Sequence, residues 1–198
     1  DMMGDFLEKA PGVDVTEDTI FSSRSQVEMF LASIYEYGVH SNLGLGSPDN
    51  GAPAIANSAG TIDAGATDEA EACANWYDPQ KWNNASVSPD NTDDPRFSHR
   101  FTAIRKVTVM LDRVDEVPDI TKEYANQLKA ESKFIRALNY FEMFKRYGGV
   151  PIIDHRLQLD ENLKIPRSSV EDVVNFIVKD CDEAIPDLPI NQLGVLRG

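Results

Sequence analysis

Residues 125–150 read ANQLKAESKFIRALNYFEMFKRYGGV and lead into Pro151-Ile152-Ile153. Leu128, Ile135 and Leu138 fall on one helical stripe, and Phe134, Phe141 and Phe144 widen it to both sides. A period near 3.6 held over roughly twenty residues predicts a helix long enough to cross a small domain, at about 1.5 Å of rise per residue. Gly148-Gly149 suits the left-handed closure of such a helix, and Pro151 starts an extended segment. Lys145 and Arg146 occupy the last turn, where the helix dipole favours positive charge. A band this broad needs neighbours on more than one side, so the helix is expected at the centre of an all-α fold.

Further helices flank it. Residues 23–37 place Val27, Phe30, Leu31 and Ile34 on one face, with Tyr35 beside them. Both Ser23-x-x-Gln26 and Ser25-x-x-Glu28 fit a capping box, leaving two starts open. Asp94 as N-cap and Pro95 at the first position predict another helix to about Val114, with Phe97, Phe101, Ile104, Val107, Leu111 and Val114 near one face. Its Arg96, Arg100 and Arg105 are expected to be solvated or paired with nearby acids. Ser168-x-x-Glu171 predicts the start of a last helix, whose apolar side holds Val173, Val174, Ile177, Cys181, Ala184 and Ile185 before Pro186 ends it.

Between Gly38 and Asp94 the periodicity disappears, and Gly, Ala, Ser, Asn, Asp and Pro dominate. So long an irregular stretch inside one domain is typically functional. Trp76, Tyr77 and Trp82 cluster there, and they include both tryptophans of the chain. Asn75, Asp78, Gln80, Asn83 and Asn84 surround them. Sugar rings offer flat C–H faces that pack on aromatic rings, and hydroxyls that need amide or carboxylate partners. Trp76, Tyr77, Trp82, Asn83 and Asn84 are therefore the candidate ligand-binding residues, the alternative being that the aromatics only pin the loop to the helices.

Composition bounds the function. The 198 residues carry a net charge of -14, which argues against a nucleic-acid partner, since phosphate binding draws on clustered Lys and Arg. Mean hydropathy is -0.36, and no run approaches the ~18–20 apolar residues that span a bilayer. His40, His99 and His155 are scattered, and residues 90–94 lack the Gly and Glu of a calcium loop, so no metal is expected. Cys73 and Cys181 form no disulfide framework, though one bond between them stays open. No pair of carboxylates, nucleophile–base arrangement or phosphate-cradling loop stands out, so neither catalysis nor a cofactor is expected.

The central stretch also carries a resemblance. Residues 130–137, AESKFIRA, followed by Tyr140-Phe141 and by Arg146-Tyr147-Gly148-Gly149-Val150-Pro151, resemble the hallmark segment of the SusD/RagB family. Those are outer-membrane lipoproteins that capture glycans and other nutrients in Bacteroidota. Residues 4–11, GDFLEKAP, are similar to the segment that follows the family's lipid-bearing Cys. Residues 15–21 with the first helix resemble the family's opening helix. Phe97, Phe101, Ile104 and Leu111 are similar to a family block that more often reads Trp, Tyr, Ile, Leu, with Thr108 where Asn is frequent. Residues 166–173 with Phe176-Ile177, Asp180, Glu183-Ala184 and Leu188-Pro189 resemble the next block.

The resemblance implies a tetratricopeptide-like helical-repeat scaffold with the irregular 38–94 stretch inserted as part of the ligand platform. It implies a lipid anchor, on a Cys just ahead of Asp1, as the sole membrane attachment, and residues 1–198 as one N-terminal domain of a longer protein. It also implies non-catalytic binding of an oligosaccharide or other nutrient, delivered to a SusC-like TonB-dependent transporter. The competing reading is a helical-repeat adaptor that binds only protein.

Overall fold

Thr121 starts the long helix: its side chain accepts a hydrogen bond from the Tyr124 amide at 3.2 Å, answering one of the donors that a helix start leaves open. Gly148 closes it at φ +66°, a region that costs glycine little. The helix between them, Lys122–Tyr147, has 26 residues and runs about 39 Å. The computed structural model describes residues 16–40, 68, 84–88, 96–157 and 165–190. In chain order the α-helices are α1 (Glu17–Ile20), α2 (Arg24–Tyr35), α3 (Phe97–Arg113), α4 (Lys122–Tyr147) and α5 (Val170–Ala184). A π-helical turn, Glu36–His40, prolongs α2, and 3-10 turns follow α3 and α5. The expected all-α architecture is the one observed.

Helix α4 is shared between two apolar clusters. Leu128 and Ile135 pack with Val27, Leu31 and Ile34 of α2 and with Val107 and Met110 of α3. One or two turns further on, Tyr140 and Met143 pack with Ile104, Val150, Ile153 and Val173. A helix covered on two sides holds its neighbours in place.

The expected Leu128–Ile135 stripe is covered, but the residues that flank it fall differently. Phe134 and Phe141 are exposed, while Glu131, Ser132, Arg136, Asn139 and Glu142 are buried. Buried polar groups need partners, and each of these residues has at least one, with Asn139 Oδ1 alone among their buried side-chain atoms left without one. Tyr35 Oη donates to Glu131 at 2.9 Å. Asn139 Nδ2 donates to the carbonyls of Gly38 and Ile135 at 3.0 and 2.7 Å. Arg146 reaches the Glu142 carboxylate at 2.7 Å. On α3 the expected Ile104, Val107 and Val114 are buried, but Phe97 is exposed and Arg96 and Arg100 are buried.

Helix α2 settles a choice that the sequence leaves open, and two further helix starts differ from the sequence reading. Helix α2 uses the Ser23–Gln26 pair, with Ser23 Oγ accepting from the Gln26 amide at 3.4 Å. Helix α3 begins at Phe97 with Arg96 as an uncapped N-cap, and Asp94 and Pro95 lie outside the described residues. Helix α5 is capped by Ser169 with Asp172 in a reciprocal box, one residue later than expected. Ser168 is already engaged, donating its amide to the Val150 carbonyl at 3.2 Å. A Cβ on Gly149 would overlap the Ser168 carbonyl, so this crossing requires glycine.

Helices α4 and α5 are joined by a buried ion pair. Arg136 donates from Nε and Nη2 to the two Asp180 oxygens at 2.7 and 2.8 Å, a bidentate fork. The Arg136 guanidinium also lies 4.9 Å from the Phe176 ring centroid. Beside it, the fully buried Tyr140 accepts from the Ile153 amide at 2.7 Å and donates to the Pro151 carbonyl at 3.3 Å. Burial pushes the Tyr140 phenol up to about 12, so it stays a donor.

Two predictions follow from these contacts. Asp180→Ala should cost about 3–5 kcal/mol in urea denaturation by stranding Arg136, whereas an Arg136→Met, Asp180→Leu pair should recover most of the loss. Recovery no better than the single variant would contradict a purely electrostatic penalty. Carboxylates set a second expectation. Hydrogen bonds from Arg24 and Tyr124 hold Glu28 below the usual range, and Lys133 does the same for Glu183. Their stabilisation is complete above the unfolded carboxylate pKa of about 4.3 and is lost as pH falls through the folded value. The melting temperature should therefore drop between pH 5 and pH 3, less steeply in Glu28→Gln.

Candidate functional site

The described residues that flank the 41–95 stretch come together. Tyr37, in the π-helical turn, stacks on His99, in the first turn of α3, with ring centroids 5.9 Å apart and planes 26° from parallel. Both ends of a segment of more than fifty residues are thus held at one place. The sequence periodicity of α2 stops at Gly38, yet the backbone stays helical to His40. The reason is size. A Cβ on Gly38 would overlap Ile135 and stand 3.0 Å from Asn139 Nδ2. Only glycine lets the turn sit on α4 and give its carbonyl to Asn139.

Two helical turns after His99, Lys106 points the same way. Its ammonium lies 5.2 Å from the Tyr37 ring centroid and 5.4 Å from that of Phe30, and donates to Ser33 Oγ at 2.9 Å. Cation–π contact of this kind partly replaces lost water. Burial still draws the Lys106 pKa below the ordinary lysine value. No carboxylate among the described residues forms an ion pair with Lys106 or Arg105. A cavity of about 410 Å³ opens beside them, lined by Ile20, Phe30, Thr102, Val109 and the two cations, with Glu17 at its edge. Glu17 is already held by Arg156 at 2.7 Å.

This arrangement offers aromatic faces, hydroxyls and N–H donors, which suits binding by stacking and hydrogen bonds. Among the described residues no group of three or more His, Cys, Asp or Glu could hold a metal ion. The Cys181 thiol is free, and burial raises its pKa, opposite to the shift an activated nucleophile needs.

Of the residues singled out from sequence, Asn84 is described. It is exposed, and its Oδ1 accepts from the Ser86 amide at 3.1 Å and from Ser86 Oγ at 2.6 Å. It therefore shapes a tight turn, with Ala85 at φ +59°. Trp76, Tyr77, Trp82 and Asn83 lie outside the described residues. The Phe30–Tyr37–His99–Lys106 cluster escaped sequence reading. Phe30 had looked like one core residue among several, and His99 like an isolated histidine.

A sequence profile described as SusD-like, starch-binding associating with outer membrane, matches residues 5–193. The chain belongs to this SusD-like family. A SusD-like protein of Formosa agariphila, P25, is 26% identical over 185 residues, covering 91% of this chain and 34% of the relative. A SusD-like protein of Bacteroides ovatus is 23% identical over 92% of this chain and 31% of its own length. Among solved structures, a SusD-like protein of Bacteroides fragilis superposes with a TM-score of 0.67 at 26% identity, over 96% of this chain and 34% of that one. This SusD-like chain thus spans about a third of the length of the relatives it matches. No helix among its described residues is long and apolar enough to cross a membrane.

Gly38→Ala should destabilise the SusD-like chain by about 1–3 kcal/mol, the usual cost of overpacking. Urea denaturation measures it. A neutral effect would mean that the π-helical turn is not pressed against α4.

Proposed function

We propose that this polypeptide captures a glycan at the cell surface and passes it, unreacted, to a SusC-like TonB-dependent transporter. In this reading a lipid anchor holds it to the outer membrane, and residues 38–94 form the ligand platform. Trp76, Tyr77 and Trp82 stack on sugar rings while Asn83 and Asn84 bond hydroxyls. The observation that carries the reading is the family match over residues 5–193. Two solved relatives add to it: one is described as laminarin-binding and another holds a xylogluco-oligosaccharide. The Tyr37–His99 stack gives the platform a fixed root on the helices. Lys106 and Arg105, lacking carboxylate partners among the described residues, line the cavity next to that root.

The test uses the full-length polypeptide on an oligosaccharide array that includes laminarin and xyloglucan fragments, followed by calorimetry on any hit. Trp76→Ala or Trp82→Ala should weaken binding about tenfold, or ~1.4 kcal/mol, with the circular dichroism spectrum unchanged. Binding unchanged in both variants would remove the platform from the ligand site. The absence of any hit, with a protein partner recovered instead, would favour the adaptor reading.

A further inference from the structure

With 33 acidic residues against 19 lysines and arginines, a cation in this chain is expected to have a carboxylate beside it. Arg24, Arg113, Lys129, Lys133, Arg136 and Arg156 conform, each at 2.5–2.8 Å from one. Arg105 and Lys106, neighbours on α3, do not. Among the described residues no carboxylate reaches either of them, although both line the cavity of about 410 Å³ beside α1 and α2. The cavity of about 490 Å³ at the other end of α3 is the contrast, because its Lys129 is closed off by Asp115 at 2.5 Å.

The donors facing the smaller cavity are unspent. Lys106 gives one N–H to Ser33 and has others left. Arg105 is exposed and presents a whole guanidinium fork, the shape that matches a carboxylate or a sulfate group. Two neighbouring cations also repel each other, and an anion between them offsets that repulsion as well as the cost of holding the half-buried ammonium without a counter-charge. Glu17 is the one carboxylate at the rim, and Arg156 and Arg113 already offset it at 2.7 and 3.6 Å. Ile20, Phe30 and Val109 make up an apolar wall. The volume falls within the ~300–1,000 Å³ of small-molecule sites.

We infer that this cavity is a subsite for an anionic sugar unit, one that bears a carboxylate or a sulfate ester. Arg105 and Lys106 take the anion, and the Phe30 side takes the C–H face of the ring. A neutral sugar satisfies the wall and leaves the two charges unanswered. Lys106 also lies against Tyr37, so the subsite adjoins the Tyr37–His99 root. The inference rests on the glycan-capture reading and adds to it the class of sugar.

Calorimetry on the full-length protein compares matched pairs: oligogalacturonides against their methyl esters, and sulfated against desulfated galactan oligosaccharides. Each pair removes charge at nearly constant shape. The acidic form of at least one pair should bind about tenfold or more tightly than its neutral partner, a preference that shrinks as salt is added. Which pair shows it separates carboxylate from sulfate. Arg105→Gln and Lys106→Met should each reduce the preference to about twofold or less, with the affinity for the neutral form and the circular dichroism spectrum unchanged. Arg105→Gln, at an exposed position, keeps the test valid should Lys106→Met unfold. Equal binding of charged and neutral forms in both pairs overturns the inference and leaves glycan capture standing, as does a preference that survives either substitution in a folded protein. Binding of neither acidic form, beside a neutral hit on the oligosaccharide array, has the same meaning. The absence of any glycan hit overturns both.

Discussion

A guanidinium withdrawn from water demands a carboxylate, and the Arg136–Asp180 fork is where this molecule meets that demand. Its geometry admits one register between α4 and α5. Once that register is set, Phe176 covers Tyr140, and Tyr140 in turn holds the Pro151–Ile153 backbone through two hydrogen bonds. That segment carries the chain to the Gly149–Ser168 crossing, which directs the entry to α5. An apolar pair could supply comparable stability, but it would tolerate sliding by a turn. The ion pair contributes uniqueness more than free energy.

The apolar stripes of the helices were legible in the sequence, and the polar residues buried beside them were not. Gly148 announces the end of α4 because capping is local chemistry, decided within four residues. The covered side of α4 is decided elsewhere. Glu131 is bonded by Tyr35, 96 residues away in sequence, Asn139 by Gly38 across 101, and Arg136 by Asp180 across 44. No periodicity records such partners. A wheel that counts apolar residues therefore places Leu128 and Ile135 correctly and misplaces Phe134 and Phe141. The same limit misplaced Arg100 and Phe97 on α3.

The candidate site divides along similar lines. Residue type marks Trp76, Tyr77 and Trp82 as candidates and leaves open whether they stack on a ligand or pin the stretch to the helices. Their placement on the helices is not written locally. What the fold adds is a root: Tyr37, His99, Phe30 and Lys106 come from two helices and converge through tertiary packing alone. Asn84 shows the converse. Read by type it is a sugar-bonding amide, but its carbonyl oxygen is already committed to the Ser86 turn.

The clasp between Tyr37 and His99 also bears on how such a protein can change over generations. With both ends of the intervening segment fixed, closing it costs conformational entropy that grows only with the logarithm of its length, about 0.6 kcal/mol for each doubling. A segment clasped at both ends can therefore change in length at little entropic cost to its closure.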